Sequence, residues 1–514
     1  MKGAIAAGHP RTAEAGARML AEGGNAVDAC VAAAFAGWVA ESPLTGPGAG
    51  GFALVRPGDG RPARIADFFV ATPGLGLPQD PGAEMHAIDV GFGGDSETTQ
   101  VFRIGEASCA VPGAGAGLAA VHEAYGSLPW AELLQPAIEL AREGVVLSRP
   151  QAHLHAILDL ILRHAPEGKR LYSRADGSRM QPGDLLRLPD LGETLARIAE
   201  EGADVLYRGD LARETAATVA AGGGKLTADD LAAYRVVWRR PVRVPYLGHE
   251  VISNPPPSSG GILIAYGLAL LERTARGGAG SADAIAALAD VMREQTRARG
   301  GVLDERLLAE DAVAAAAERI RNGLAGSDEH ATVGGTTHVS AVDVDGNAAA
   351  VSSSTGSGSG VIVPGTGIHL NNMLGEYDLV AGAPAEPGHR LTSMMAPTVV
   401  LGDRGPRLVV GSAGSVRLRG AIMQVIVNVV AHGLDVWTAI DAPRIHVDEP
   451  HVHCEGGFDT EQLDLVEGRG YDLVRWRRRN LFFGGTNAVE VRPEGTLAAA
   501  GDARRGGDGV VVQA

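Results

Sequence analysis

The sequence predicts an α+β fold, with residues 1–335 rich in helices and residues 336–514 rich in strands. Three observations predict it. Apolar residues recur at helical spacing through residues 11–40, 130–235 and 261–330. From Thr336 onward the pattern turns to short apolar runs: "THVSAVDV", "NAAAVSSS", "APTVVL", "RLVVGSAG" and "NAVEVRP". Within that region, Asp345-Gly346 between alternating residues is a two-residue hairpin signal. The boundary falls just before Thr336, in the polar, Gly-containing "AGSDEHATVGG".

Taken in order, "TAEAGARMLAEGG" is a helix that stops at Gly23-Gly24, and Asn25 can cap the next one. That next helix, Ala26 to Ala40, is the most apolar segment. It is too short to span a bilayer and contains Asp28, so it is expected to be buried. "GPGAGGFALVRPGDG" is a Gly-rich loop running into a strand from Phe52 to Arg56, and "AVPGAGAGLAAVHEAYG" is a Gly loop entering a helix. "VWRRPVRVPYLGHEVISNPPPSSGG" reads as strand, turn, strand and then a Pro-Ser-Gly loop. One helix, expected over Val416–Val430, interrupts the later strands.

Composition narrows the function classes. The chain of 514 residues is 45% hydrophobic but only 4% aromatic, with 72 Gly, so its core must be built from Ala, Val, Leu and Ile. Its 61 acidic residues exceed its 45 basic ones, giving a net charge of −16. That balance argues against nucleic acid or an anionic membrane as a partner. Three cysteines (Cys30, Cys109, Cys454) make no disulfide framework, and the N-terminus lacks the apolar stretch of a signal peptide. A cytoplasmic location is the expectation.

The stretch "GGTTHVSAVDVDGNAAAVSSSTGSGSG" raises the chemical question. With Asp345-Gly346 as the loop, Val344 pairs with Asn347, Ser340 with Val351 and Thr337 with Ser354, which gathers hydroxyls at the open end of the hairpin. Those residues are either ordinary strand residues or a nucleophilic site. A hydroxyl needs a base to act as a nucleophile, and a free α-amine on the same residue is one solution. An α-amine titrates near 7.7–8.0, so it accepts a proton at neutral pH. That solution requires a cut just before the Thr, with a small residue ahead of it and a strand behind, and Gly335-Thr336 supplies both. His338 shares a strand face with Thr336, as a neighbour of the nucleophile or as a structural residue.

Other motifs are open between two readings. "GSGSG" lacks the Lys-Ser/Thr and following helix of a phosphate loop. "HVHC" (His451, His453, Cys454) is a chance strand or a metal cluster without a partner pair. "PPPSSGG" is a structural turn or a stiff functional loop. "VVGSAGSVRLRG" is a strand, ending at Gly411, then a Ser/Gly turn and a helix; its backbone N–H groups either simply turn the chain or bind an anion or oxyanion.

At this point the chain resembles gamma-glutamyltransferase (gamma-glutamyltranspeptidase), a self-processing N-terminal-nucleophile hydrolase. The resemblance runs in order along nearly the whole chain: "GHPRTAEAGARMLAEGGNAVDACVAAAF", "GPGAGGFALV", "DLAAYRVVWRRPV", "NPPPSSGGILI", "TTHVSAVDVDGNA", "GIHLNNMLGE", "RLTSMMAPTVV", "GSAGSVRL" and "DAPRIH". It implies a four-layer αββα sandwich, and autocleavage between Gly335 and Thr336 into a large piece, 1–335, and a small piece, 336–514, that stay together. It implies Thr336 as nucleophile, with its new amine as general base. Ser354 falls where the family has a second Thr that hydrogen-bonds the nucleophile. Gly414 and Ser415 fall on its Gly-Gly oxyanion pair, Thr392 and Ser393 on the Ser-Ser pair that holds the substrate α-carboxylate, and Glu376 on an Asp that pairs with the substrate α-amine.

The departures concern the substrate. Phe69, in "DFFVATPG", stands where the family has the Arg of "DFRE", so the bidentate donor for a glutamyl carboxylate is replaced by a ring. Gly356 is nearest to an Asn that the family places after its second Thr, and the stretch before the cleavage loop is shortened to "TRARGGVLDERLL". The expected activity is a threonine-nucleophile hydrolase or acyltransferase acting on an amide-type bond of a small molecule, without metal or cofactor. Alternatives are an acylase for another side chain, such as a glutaryl-β-lactam, and a homologue that opens a C–C bond beside a carbonyl in antibiotic biosynthesis. A third, of another class, is an unprocessed scaffold.

Overall fold

The computed structural model describes residues 1–78, 83–91, 99–274, 277–323, 335–376 and 386–513. Two sheets form its centre. Their strands before residue 335 are β1 (Gly3–Ala7), β2 (Gly50–Arg56), β3 (Arg64–Phe68), β4 (Val237–Arg239), β5 (Val242–Tyr246) and β6 (His249–Ser253). Those after it are β7 (Gly335–Asp343), β8 (Ala348–Gly356), β9 (Thr398–Gly402), β10 (Gly405–Ala413), β11 (Gly485–Val491), β12 (Leu497–Ala500) and β13 (Asp508–Val512). A seven-stranded sheet has the order β13-β1-β7-β8-β2-β3-β4, and a six-stranded sheet the order β12-β11-β10-β9-β6-β5. Each mixes strands from both sides of residue 335, so the two stretches build one fold.

Alternation along the strands makes the layers. In β1, Ile5 and Ala7 join a core with α1 (Pro10–Ala21), α2 (Ala26–Ala40), α3 (Ala114–Tyr125) and α4 (Trp130–Glu143). Ala4 and Ala6 face the other way, into a core shared with the second sheet and with α5 (Ser259–Arg273), α6 (Ala282–Arg299) and α7 (Leu418–Val430). β7 divides likewise, with Val339 and Ala341 on the helix side and Val342 on the inter-sheet side. The result is the expected αββα sandwich. Its core is Ala- and Val-rich because small side chains let helices lie close to sheets.

The local signals in α1 and α2 are realised. Gly23 ends α1 at φ 95°, and Asn25 and Asp28 form a capping box at the start of α2. Every residue of α2 is buried, and the Asp28 carboxylate accepts from the backbone N–H groups of Asn25 and Ser127. No helix among the described residues is long and apolar enough to cross a membrane.

Three details differ from the sequence-based expectation. The hairpin loop has three residues rather than two: Asp343 N donates to Asn347 O (3.1 Å), and Gly346 takes the left-handed conformation at φ 77°. The cause is the Asp343 carboxylate, which accepts from Asp345 N, Asn347 N, Asn347 Nδ2 and Ala26 N and so draws the turn one residue inward. Thr337 therefore stands opposite Ser353, not Ser354. Second, "PPPSSGG" is only half loop, because Ser259 already opens α5. Third, β10 runs to Ala413 rather than Gly411; a 3₁₀ turn at Ser415–Arg417 then delays α7 to Leu418. Of the expected boundary stretch, residues 325–335, all but Gly335 lie outside the described residues.

Candidate active site

The open end of the hairpin carries a bulge. Between Gly335 and Thr337 the pairing shifts, so Gly335 stands opposite Gly356 while Thr337 stands opposite Ser353. The bulge brings the Ser354 hydroxyl onto the Gly335–Thr336 peptide, where Ser354 Oγ donates to Gly335 O and accepts from Gly356 N (2.8 Å). A donor on that carbonyl oxygen polarises it toward attack and supports negative charge on it. Thr336 itself is buried, next to the bond that precedes it.

Thr336, Ser354, Glu376, Ser393, Ser415 and Phe69 line one cavity of about 40 Å³. Residues from distant parts of the chain thus meet as the motifs implied. Gly414 precedes Ser415 in the turn after β10. The two have φ values of 126° and 53°, both in the left-handed region that favours Gly. Neither Gly414 nor Thr392 lines the cavity itself, and Thr392 points away from it. In the extended segment 391–393 it is exposed while Leu391 and Ser393 are buried, so neighbouring side chains face opposite ways and only Ser393 reaches the cavity.

The segment carrying Ser393 is held by the "PPPSSGG" stretch. Ser258 Oγ donates to Ser393 O and Met395 O (both 2.9 Å), and Ser259 N donates to Ser393 O (2.7 Å). A Cβ on Gly260 would lie 2.0 Å from Met394 O, so only Gly lets α5 approach this closely. "GIHLNNMLGE" acts similarly. Asn371 bonds Gly48 O, Ala110 N and Ala110 O, tying both Gly loops together. Asn372 Oδ1 accepts from Ser357 N, and it fills the space beside Gly356: a Cβ there would lie 2.1 Å from that oxygen. The missing side chain at 356 is thus a steric requirement of this site.

Phe69 is fixed from three directions. Its N–H donates to Asp67 Oδ1 (3.0 Å), and its carbonyl accepts from Tyr234 Oη (2.6 Å) and Arg390 Nη1 (2.7 Å). Its ring stacks on Phe52, with centroids 5.6 Å apart and planes at 19°. Met373, Met394, Met395 and Leu418 complete the apolar wall.

His338 is structural. Its Nδ1 and Nε2 each lie 2.8 Å from a hydroxyl, Ser352 Oγ and Ser340 Oγ, and burial lowers its pKa to about 3, too weak a base to take a proton at neutral pH. "HVHC" is likewise committed to packing: His453 Nδ1 accepts from Trp476 Nε1 (3.2 Å) and Cys454 is buried. Sequence reasoning missed Glu41. It caps α2, and its carboxylate accepts from Thr337 Oγ1 (2.5 Å) and Thr12 Oγ1 (2.9 Å). Burial pushes it up to about 7, against the opposing pull of those hydroxyls and Arg505. With Thr336, Thr337 and Arg505 it lines a second cavity, of about 30 Å³. Its only signal in the sequence is an acid directly after a wholly apolar helix. The methionines lay inside recognisable motifs, but nothing marked them as facing a cavity.

The profile of the Gamma-glutamyltranspeptidase family matches residues 12–512. The chain belongs to the gamma-glutamyltranspeptidase family. Among its relatives, Acylase ACY 1 proenzyme of Pseudomonas sp. (strain SE83) is 32% identical over 537 residues, spanning 99% of this chain and 94% of that protein. Glutathione hydrolase proenzyme of Escherichia coli (strain K12) is 32% identical over 539 residues, spanning 98% and 90%. The crystal structure of cephalosporin acylase from Bacillus halodurans superposes with a TM-score of 0.84 at 25% identity, over 99% of this chain and 95% of that one. The sandwich is thus an N-terminal-nucleophile hydrolase fold, and this gamma-glutamyltranspeptidase family member is an enzyme of the hydrolase and acyltransferase type, acting on an amide bond.

Proposed function

We propose that the chain is a precursor that cuts itself between Gly335 and Thr336 and then acts as a threonine-nucleophile amide hydrolase or acyltransferase. The observation that carries this reading is the Ser354 hydroxyl donating to the carbonyl oxygen of Gly335, beside the Thr336 hydroxyl in one cavity. In the first step Thr336 Oγ adds to the Gly335 carbonyl carbon, with the oxyanion held by Ser354. The C–N bond breaks, its nitrogen takes the hydroxyl proton, and the resulting ester is hydrolysed by water. That frees the Thr336 α-amine and the Gly335 carboxylate.

In the mature enzyme the α-amine takes the Thr336 Oγ proton as the oxygen adds to a substrate carbonyl. The N–H groups of Gly414 and Ser415 face the developing oxyanion, and the leaving amine departs with the proton. Water or a second amine then releases the acyl group. Large and small pieces remain associated, because β1 of the first lies between β13 and β7 of the second. The ring of Phe69 favours an acylase over a gamma-glutamyl hydrolase, since it removes the cation that would hold a glutamyl carboxylate.

A denaturing gel tests the first step. Dividing 52.8 kDa by residue number predicts bands of about 34 and about 18 kDa. Thr336→Ala should remain one band; a cut Thr336→Ala protein would move the nucleophile elsewhere.

A further inference from the structure

We propose that Glu41 takes up the Thr336 hydroxyl proton during self-cleavage, through water held by Glu41, Gln151 and Arg505. The inference rests on the reading of Thr336 as the nucleophile and names the base of its first step. In the precursor the Thr336 nitrogen is still an amide, so no free α-amine is there to serve.

Thr336 lines two cavities. On one side stand Ser354, whose hydroxyl donates to the Gly335 carbonyl, and Glu376. On the other stand Glu41, Gln151 and Arg505, around a space of about 30 Å³. That is room for about two water molecules. Two buried donors that belong to this lining, Gln151 Nε2 and Arg505 Nε, have no hydrogen-bond partner among the described residues. A buried water is stable where polar groups such as these can bond it. With about two waters in the space, each can accept from one of these nitrogens and keep a lone pair for an incoming proton. Glu41 is the acceptor at the end of the relay.

The protons then balance. As Thr336 Oγ bonds to the Gly335 carbon, its proton passes to the nearer water, and a proton of the farther water passes to Glu41. When the C–N bond breaks, one proton returns by the same route to the Thr336 nitrogen. Glu41 ends ionised, ready to take a proton from the water that hydrolyses the ester.

The other charged and titratable groups around this space do not compete. His155 and His338 line it, but burial lowers their pKa values to about 4 and about 3. His9, next to Gly8 in the lining, is lowered to about 4. Arg504 is paired with Glu455 and Asp502. Arg505 is lowered only to about 10, so it stays a cation. Glu41, which burial pushes up to about 7, is the lining group that changes protonation near neutrality.

The test follows newly made precursor, labelled by cell-free translation, as it cuts on a denaturing gel between about pH 5.5 and about 8.5. The wild-type rate should climb with pH through about 7 and then level, because Glu41 accepts a proton only when ionised. Glu41→Gln should cut about 100-fold more slowly or worse, the usual loss with a general base, and its rate should no longer climb. Gln151→Glu keeps the oxygen that accepts from Ser148 N but loses the donor to water, and it should also cut more slowly. A wild-type rate that is flat over this range would overturn the inference. So would a Glu41→Gln chain that cuts at the wild-type rate or keeps the climb, or loss of the climb in Glu376→Gln but not in Glu41→Gln. If Glu41→Gln yields no folded protein, the wild-type profile and Gln151→Glu decide: a Gln151→Glu chain that melts and cuts as the wild type does would overturn it. A Thr336→Ala chain that still cuts would instead overturn the reading of Thr336, so the two failures are separable.

Discussion

Restoring a cation at position 69 should restore recognition of a carboxylate. Phe69→Arg places a guanidinium where the Phe ring now enters the cavity, on a backbone already held by Asp67, Tyr234 and Arg390. A charge-assisted contact of this kind contributes about 1.5–3 kcal/mol, so kcat/KM for gamma-glutamyl-p-nitroanilide should rise roughly 10- to 100-fold. The change also has a cost. The stack on Phe52 contributes about 0.5–1.5 kcal/mol, and the ring is only 1% exposed, so an Arg must be partly desolvated there. Glu376 in the same cavity offsets part of that by offering a counter-charge. The variant should therefore melt several degrees lower while still cutting itself, because neither Thr336 nor Ser354 is altered. The assay is steady-state hydrolysis by protein shown on a gel to be cut. A fully cut Phe69→Arg protein with an unchanged gamma-glutamyl rate would refute the argument that position 69 decides carboxylate recognition.

Other outcomes follow from the same geometry. Ser354→Ala should slow self-cleavage about 100- to 1,000-fold, the usual effect of losing one oxyanion donor, as followed by the appearance of the small piece on a gel; cutting at the wild-type rate would show that the hydroxyl is not needed. Glu41→Ala leaves the hydroxyls of Thr337 and Thr12 without their acceptor, so stability should fall by about 1–3 kcal/mol per hydroxyl and cutting should slow, with unchanged melting and cutting as the contrary result. Gly356→Ala forces a Cβ to 2.1 Å from Asn372 Oδ1 at a φ of 72°, so soluble yield and turnover should both drop. His9, His155, His338 and His369 all have pKa values lowered to about 3 or 4, chiefly by burial. The unfolded chain therefore binds protons that the folded one does not, and stability should decline as pH falls below about 6.5, by up to about 1.4 kcal/mol per pH unit for each histidine. A melting temperature that is flat between pH 7.5 and 5 would contradict this.

Most of the architecture was legible because it rests on local chemistry. Asn25 and Asp28 announce the start of α2, Gly23 the end of α1, and the change of period at Thr336 marks where strands take over. The role proposed for Thr336 came from the family motifs, because a Gly-Thr step entering a strand leaves an ordinary strand residue and a nucleophile equally open. The hairpin register was not, because it is set by one carboxylate, Asp343, whose partners include Ala26 N, hundreds of residues away in sequence. The opposed faces of Thr392 and Ser393 depend on how one extended segment lies against Ser258 and Ser259. Glu41 and the methionine wall were hidden for a related reason. Burial beside Thr336 is a property of packing, and a buried acid or thioether looks in sequence like any other.

The Gly335–Thr336 bond lies at the start of β7, an inner strand with β1 on one side and β8 on the other. A cut there removes a covalent link without removing a neighbour, so the native shape survives it. The unfolded state does not survive it unchanged, because two separate chains must then find each other and insert one strand between two others, at a rate that depends on concentration. The precursor can fold as a single chain, whereas the matured protein starts again only by association. Heat should therefore inactivate the matured enzyme for good under conditions from which the Thr336→Ala chain recovers. The working lifetime of the matured enzyme is then set by how fast it opens and not by how favourable its fold is.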